Sequence, residues 1–209
     1  MKNGGTIQPK VYALIDVSNI RSCCLRTCDF RIDFVKLIKY LKRKYPCLQD
    51  ARYYEGIASG DSKKLIEFKK LNHAGYTIKS LTRKSYTNPA VYAEYKCKKC
   101  HYQNRVKILS KSVKLKSNVD VFLATELLEI AFAAKTPTHI LLFTCDGDYV
   151  EAIKAAVKNP NITISVVATP AIKNFEKNTL SSRLKQLRKE IPNQRYRLFN
   201  ITDIKDKIS

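Results

Sequence analysis

The chain has 209 residues, with 39 Lys or Arg against 18 Asp or Glu and a formal net charge of +21 at pH 7. That length suffices for one domain with a sizeable core, and so large a positive charge calls for a polyanion, with nucleic acid the first candidate. A membrane is excluded as the expected partner, because no run approaches the roughly 20 apolar residues that span a bilayer and neither a signal-peptide core nor a lipidation motif is present. A cytoplasmic location follows, with the seven cysteines reduced rather than paired.

Residues 11–15 are a short apolar run rich in β-formers that ends in Asp16 and is followed by Ser18 and Asn19, which reads as a buried strand running into a loop. Over residues 34–45, Phe34, Leu37, Ile38 and Leu41 recur at helical spacing, with Lys36, Lys39, Lys42, Arg43 and Lys44 on the other faces. The pattern predicts an amphipathic helix stopped near Pro46. A strand over 51–57, a helix over 62–72, a break at Gly75 and a strand over 76–81 follow. From 83 to 116 the periodicity is lost; residues 95–119 hold eight Lys or Arg and no acid, and the segment reads as an inserted basic loop. The pattern then resumes with a helix over 119–134, a strand over 139–144, a helix over 149–158, a strand over 162–168, a basic helix over 179–189 and a short edge strand over 196–199. Strands alternating with helices predict a three-layer α/β/α fold, Rossmann-like, with a mostly parallel central sheet. We read residues 1–209 as one domain, with a basic cysteine-containing insertion at 83–117 and a basic extension at 178–209.

In an open parallel sheet the ligand site lies outside the carboxyl ends of the strands. Two predicted strands end there in acid, at Asp16 and at Asp146, with Asp148 two residues further on and Asp120 opening a helix. Each alone would serve as a helix cap or a loop hydrogen-bond acceptor. Together, in a chain poor in acids, they would repel one another unless a cation joined them, and hard oxygen ligands suit Mg²⁺ or Mn²⁺.

Three segments carry a resemblance. Asp16-Val17-Ser18-Asn19 after a hydrophobic strand, Lys116-Ser117-Asn118-Val119-Asp120-Val121 before a helix, and Phe143-Thr144-Cys145-Asp146-Gly147-Asp148-Tyr149 resemble, in order and spacing, the motifs of NYN (LabA-like) domains in the PIN-like nuclease superfamily. The resemblance implies a PIN-like fold, divalent-metal dependence and hydrolysis of RNA phosphodiesters by an activated water. It makes Asp16, Asp120, Asp146 and Asp148 metal ligands or orienters of water, with Asn19 at the catalytic centre and Ser18 and Thr144 as supporting polar groups. Where such domains usually carry a further Asp six residues after the central one, this chain has Glu126, about 120° around an ideal helix from Asp120. Cys145 and Asn118 stand where glycine is frequent.

Cys97-Lys98-Lys99-Cys100-His101 has zinc-knuckle spacing and would need two further ligands. Cys23, Cys24 and Cys28 follow the first strand, and Cys97 and Cys100 with Cys23 and Cys28 make a candidate structural Zn²⁺ set. Lys96, Lys98, Lys99, Arg105, Lys107 and Lys116, interleaved with Tyr92, Tyr95 and Tyr102, offer phosphate partners beside stacking surfaces. Arg183, Lys185 and Arg188, with Arg195 and Arg197, form a second basic zone. The expected function is a metal-dependent endoribonuclease acting on RNA, with DNA a second substrate class and the oligomeric state, homodimer included, left open. The alternative is a non-catalytic RNA-binding module on the same fold. A nucleotide-processing Rossmann enzyme is disfavoured, because no glycine-rich phosphate loop follows the first strand.

Overall fold

The computed structural model describes residues 8–110, 112–170 and 180–209. In chain order it contains β1 (Lys10–Asp16), α1 (Val17–Thr27), α2 (Phe34–Lys44), β2 (Leu48–Ile57), α3 (Ser62–Ala74), β3 (Thr77–Thr82), β4 (Lys84–Asn88), β5 (Val91–Lys96), β6 (Gln103–Leu109), β7 (Ser112–Lys116), α4 (Val119–Ala133), β8 (Thr138–Phe143), α5 (Val150–Ala156), β9 (Ile162–Ala168), α6 (Ser182–Glu190), β10 (Tyr196–Asn200) and α7 (Lys205–Ile208). Short 3-10 turns precede α5 and α7. Six strands form one sheet in the order β10-β9-β8-β1-β2-β3, every pair parallel, so the expected α/β architecture is the one observed.

Helices cover both faces because strand side chains alternate. Tyr53 on β2 points to one face and packs edge-on against Phe34 of α2 and Phe68 of α3, with ring centroids 5.1 and 6.0 Å away. Its neighbour Tyr54 points to the other face and meets Phe122 of α4 at 5.9 Å. The central strands β1 and β8 are apolar without alternation, as burial on both faces requires: Ala13, Leu14, Ile15 and Ile140 to Phe143 are all buried. Among the described residues, no helix is long and apolar enough to cross a membrane.

Two segments differ from the sequence expectation. The expected loop after β1 is the helix α1. Asp16 caps it by accepting the Asn19 N–H at 3.2 Å, and its buried stripe is Val17, Ile20, Cys23 and Cys24. Half of that stripe is cysteine, a small hydrophobe that a search for aliphatic periodicity passes over. The basic segment is a β-ribbon rather than a loop: β4 pairs antiparallel with β7, from Lys84↔Lys116 to Asn88↔Ser112, and β5 with β6, from Val91↔Leu109 to Lys96↔Gln103. Nearly all of its side chains are exposed on both faces. With no buried face, nothing imposes a hydrophobic alternation, which is why the strands were illegible.

At the C-terminal end, β10 is the expected edge strand, and α6 begins at Ser182; position 179, the expected helix start, lies outside the described residues, as do 171–178. Arg195 does not join a basic zone. Its guanidinium donates to the carbonyls of Ile162 at 2.7 Å, Val157 at 2.5 Å and Asn159, tying the α5–β9 connection to β10.

Candidate active site

At the centre of the sheet β1 lies beside β8, with Ile15 opposite Phe143. From this pair the chain winds outward in opposite directions, to β2 and β3 on one side and to β9 and β10 on the other. Connections leaving two adjacent strands toward opposite edges open a crevice at their carboxyl ends. Here the crevice is an open depression of about 290 Å³ lined by Asp16, Ser18, Asn19, Ser22, Cys23, Asp120 and Asp146.

Asp16 forms its floor and is 3% exposed. One carboxylate oxygen caps α1; the other accepts the Tyr149 hydroxyl at 3.1 Å and the Thr144 hydroxyl at 3.3 Å. Burial, and then the nearby charge of Asp120, push the Asp16 carboxyl up to about 7 despite these hydrogen bonds. Asp146, half-buried, accepts the Asp148 N–H at 3.0 Å with one oxygen, capping the 3-10 turn. Capping and site duty therefore coexist in both residues. Asp120 sits exposed in the first turn of α4, and desolvation followed by the charges of Asp146 and Asp148 raises its pKa. Asp148 does not line the depression. Its side chain points outward, 84% exposed, with Arg183 at 3.9 Å.

Asn19 stitches the two strand ends together. Its side-chain oxygen accepts the Cys145 N–H at 2.8 Å and faces the Thr144 hydroxyl at 3.4 Å and the Cys23 thiol at 3.8 Å. Thr144 in turn accepts the Asp146 N–H at 3.1 Å. Cys145, in the place where glycine is frequent, is accommodated because its side chain turns into the core. Its sulfur lies 3.3 Å from the Thr169 hydroxyl and accepts the Thr169 N–H at 3.4 Å. Gly147 packs closely under the start of α6: a Cβ there would come within 2.3 Å of the hydroxyl of Ser181, the residue before that helix, which would have to move aside.

Sequence reasoning missed Ser22 and Tyr149. Tyr149 was visible only as the aromatic closing the third motif, yet its buried hydroxyl lies between Asp16 and Asp120.

Glu126 belongs elsewhere. Asp120 lies within α4 itself, so an offset of six residues turns Glu126 away from the depression. Its carboxylate meets Arg52 and Lys79, each at 2.6 Å, and the Tyr54 hydroxyl. Burial alone would raise its pKa, but Lys79, Tyr54 and Arg52 outweigh it and the carboxyl is held below its ordinary value.

The four-cysteine zinc set is not assembled. Cys23 is buried in α1 and Cys28 closes that helix, whereas Cys97 and Cys100 sit at the β5–β6 turn. Among the described residues, no three His, Cys, Asp or Glu side chains form a ready-made metal site. The basic residues divide into two surfaces. Lys96, Lys98, Lys99, Lys107 and Lys116 are exposed along the ribbon beside Tyr95 and Tyr102, while Arg105 stacks on the Tyr92 ring at 4.3 Å. Arg183, Lys185 and Arg188 are exposed on α6.

Among solved structures, the chain is similar to a protein of unknown function from Vibrio parahaemolyticus, at 18% identity and a TM-score of 0.53 over 79% of this chain and 84% of that one. That likeness extends to the fold alone. Phosphofructokinase-2 from Escherichia coli, in complex with potassium, aligns at 14% identity and a TM-score of 0.37 over 73% of this chain and 44% of its own, too distant to bear on function. No curated protein matches. The NYN domain model matches residues 10–189, which take in both acid-tipped strands, the ribbon and α4, and the chain belongs to the NYN domain family.

Proposed function

We propose that the protein is a metal-dependent endoribonuclease whose centre is the depression between β1 and β8. One observation carries the reading. In a chain of net charge +21, Asp16, Asp120 and Asp146 converge with no Lys or Arg paired to any of them among the described residues, although ion pairs are made by eight other carboxylates. Carboxylates left without counter-charge at a strand switch point fit a hard divalent cation in donor chemistry. A pre-assembled cage is not needed for this, since Mg²⁺ typically keeps several waters and takes one or two carboxylates together with substrate phosphate oxygens.

Asp146 and Asp120, at the mouth, would hold Mg²⁺ or Mn²⁺, with Asp16 beneath them. When bound, the cation supplies Lewis acidity toward a water and toward the scissile phosphate. Asp16, fixed by Tyr149, Thr144 and the α1 cap, keeps one geometry while its proton is exchanged. Asn19 and Thr144 hold the β8 loop so that Asp146 stays in register with Asp16. The exposed lysines of the ribbon and of α6 gather the polynucleotide backbone, and Tyr95 and Tyr102 offer faces for unpaired bases. Attack by water without a 2′-hydroxyl nucleophile leaves 5′-phosphate and 3′-hydroxyl ends.

Purified protein given single-stranded RNA with Mn²⁺ is expected to cut internally, to stop on addition of EDTA and to leave those ends. Absence of cutting of RNA and DNA with either metal, alongside EDTA-insensitive RNA binding, would replace this reading with the non-catalytic module. Lys107→Ala is expected to weaken RNA binding uniformly across sequences and to reduce the slope of log affinity against log salt by about 0.7, one phosphate contact on a single strand. A salt titration of both proteins checks it.

A further inference from the structure

The ribbon carries chemistry that the acidic depression does not use. At its tip the β5–β6 turn is folded tightly: the Cys97 N–H donates to the Tyr102 carbonyl at 2.9 Å and the His101 N–H to the Cys97 carbonyl at 2.9 Å. His101 takes φ +58, in the left-handed region that few non-glycine residues enter. This turn places two thiols, three positions apart, on one exposed tip, with Cys97 half-buried and Cys100 exposed. The backbone N–H groups of Cys100 and Lys99 face the Cys97 sulfur and hold its thiol below the usual range. Two thiols at this spacing on a tight turn are half of a tetrahedral zinc centre.

The other half is not supplied by the same chain. All seven cysteines and three histidines lie among the described residues; His101 is exposed in the turn itself, directly after Cys100, and the other seven are engaged elsewhere. Cys23, Cys24 and Cys145 are buried under the sheet, Cys28 meets Thr27, and Cys47 meets Gln8. His73 bonds the Lys69 carbonyl, and His139 bonds Ser165. No third such ligand joins Cys97 and Cys100 among the described residues.

We propose that one Zn²⁺ joins two copies of this chain, tip to tip, through Cys97 and Cys100 of each. A two-fold axis through the metal makes both pairs equivalent, as a closed symmetric dimer requires. Reach favours a second copy: the thirteen residues of the arm from Lys84 to Lys96 extend up to roughly 40 Å at about 3.3 Å each, far enough to keep two strongly cationic bodies apart. Charge favours it as well, because a tetrathiolate zinc centre is dianionic and each copy brings Lys98 and Lys99 into the turn itself. As the four zinc–sulfur bonds form, the four thiol protons pass to solvent, so the link tightens with rising pH.

The test uses the full chain, stripped with chelator, kept reduced with a phosphine and titrated with Zn²⁺ alone, with mass followed by sedimentation and bound metal by elemental analysis. One zinc per two chains and a rise from 23.9 kDa to twice that value are expected, reversed by EDTA. Cys100→Ser is expected to lose both zinc and dimer, while Cys28→Ser behaves as the parent. One zinc per monomeric chain, no zinc uptake, or a dimer indifferent to Cys100→Ser would each overturn the proposal. Co²⁺ substitution gives a readout independent of folding losses, since four-thiolate tetrahedral coordination has its own visible absorption, and its absence in the parent would count against the link in the same way.

Discussion

Asp16→Asn is expected to make the metal-free protein more stable above pH 7 while removing cleavage. In the folded state the Asp16 carboxyl is raised to about 7 from 3.8, chiefly by burial and then by Asp120. An acid raised on folding contributes stability that is fully present below its unfolded pKa and is lost as pH rises through the folded one. The parent should therefore lose stability between pH about 4 and about 7, by up to about 4 kcal/mol from this group, where Asp16→Asn loses none. Other carboxylates act in the opposite sense: Glu67 and Glu126 are held below their ordinary values, so the parent-minus-variant difference is the quantity to follow by thermal melts across pH. The asparagine oxygen can still accept the Asn19 N–H that caps α1, which protects the fold. Excess Mn²⁺ at pH 8 should reverse the order, stabilising the parent and leaving the variant unmoved. If the two melting curves track each other at every pH, the floor of the depression is not a strained carboxylate.

Glu126→Ala is expected to be the most destabilising change in the α4 region and to leave the chemistry of the folded fraction intact. The substitution removes the common partner of Arg52, Lys79 and the buried Tyr54 hydroxyl. Breaking a buried pair by deleting one partner costs 3–5 kcal/mol in general. The arginine and lysine side chains are 19% and 27% exposed and regain some water, and Arg52 keeps Asp50 at 2.7 Å, so about 2–3 kcal/mol is expected here. Urea unfolding gives the stability, and cleavage per folded molecule gives the activity. A loss of activity without loss of stability would return Glu126 to the catalytic centre.

The fold was largely legible because its signals were strong. Unbroken apolar runs within β1 and β8, the Val- and Ile-rich β9 and the stripe Phe34, Leu37, Ile38, Leu41 of α2 each follow from what burial demands. The acid-tipped strands pointed to the carboxyl edge, and the sheet order puts Asp16 and Asp146 side by side there. What the sequence concealed has physical reasons. The stripe of α1 is half cysteine, and the ribbon has no buried face to impress a period on its residues. Tyr149 differs from the other buried tyrosines only in where its hydroxyl ends. Asp148, two residues from Asp146, is turned outward by the 3-10 turn that Asp146 itself caps, a reversal of direction that spacing alone does not show. Glu126 showed its place in advance through helical geometry, but its partners Arg52 and Lys79 come from β2 and β3, 74 and 47 residues away.

The central claim is that the carboxylates between β1 and β8 hold the metal that cuts RNA, and Asp146→Asn tests it most directly. The amide oxygen can still accept the Asp148 N–H that shapes the turn, so size and fold are kept while the charge is removed. With both proteins purified identically and assayed on the same RNA in Mn²⁺, the variant is expected to cut at least about 100-fold more slowly, with an unchanged melting temperature in EDTA. Equal cleavage by parent and variant would contradict the account.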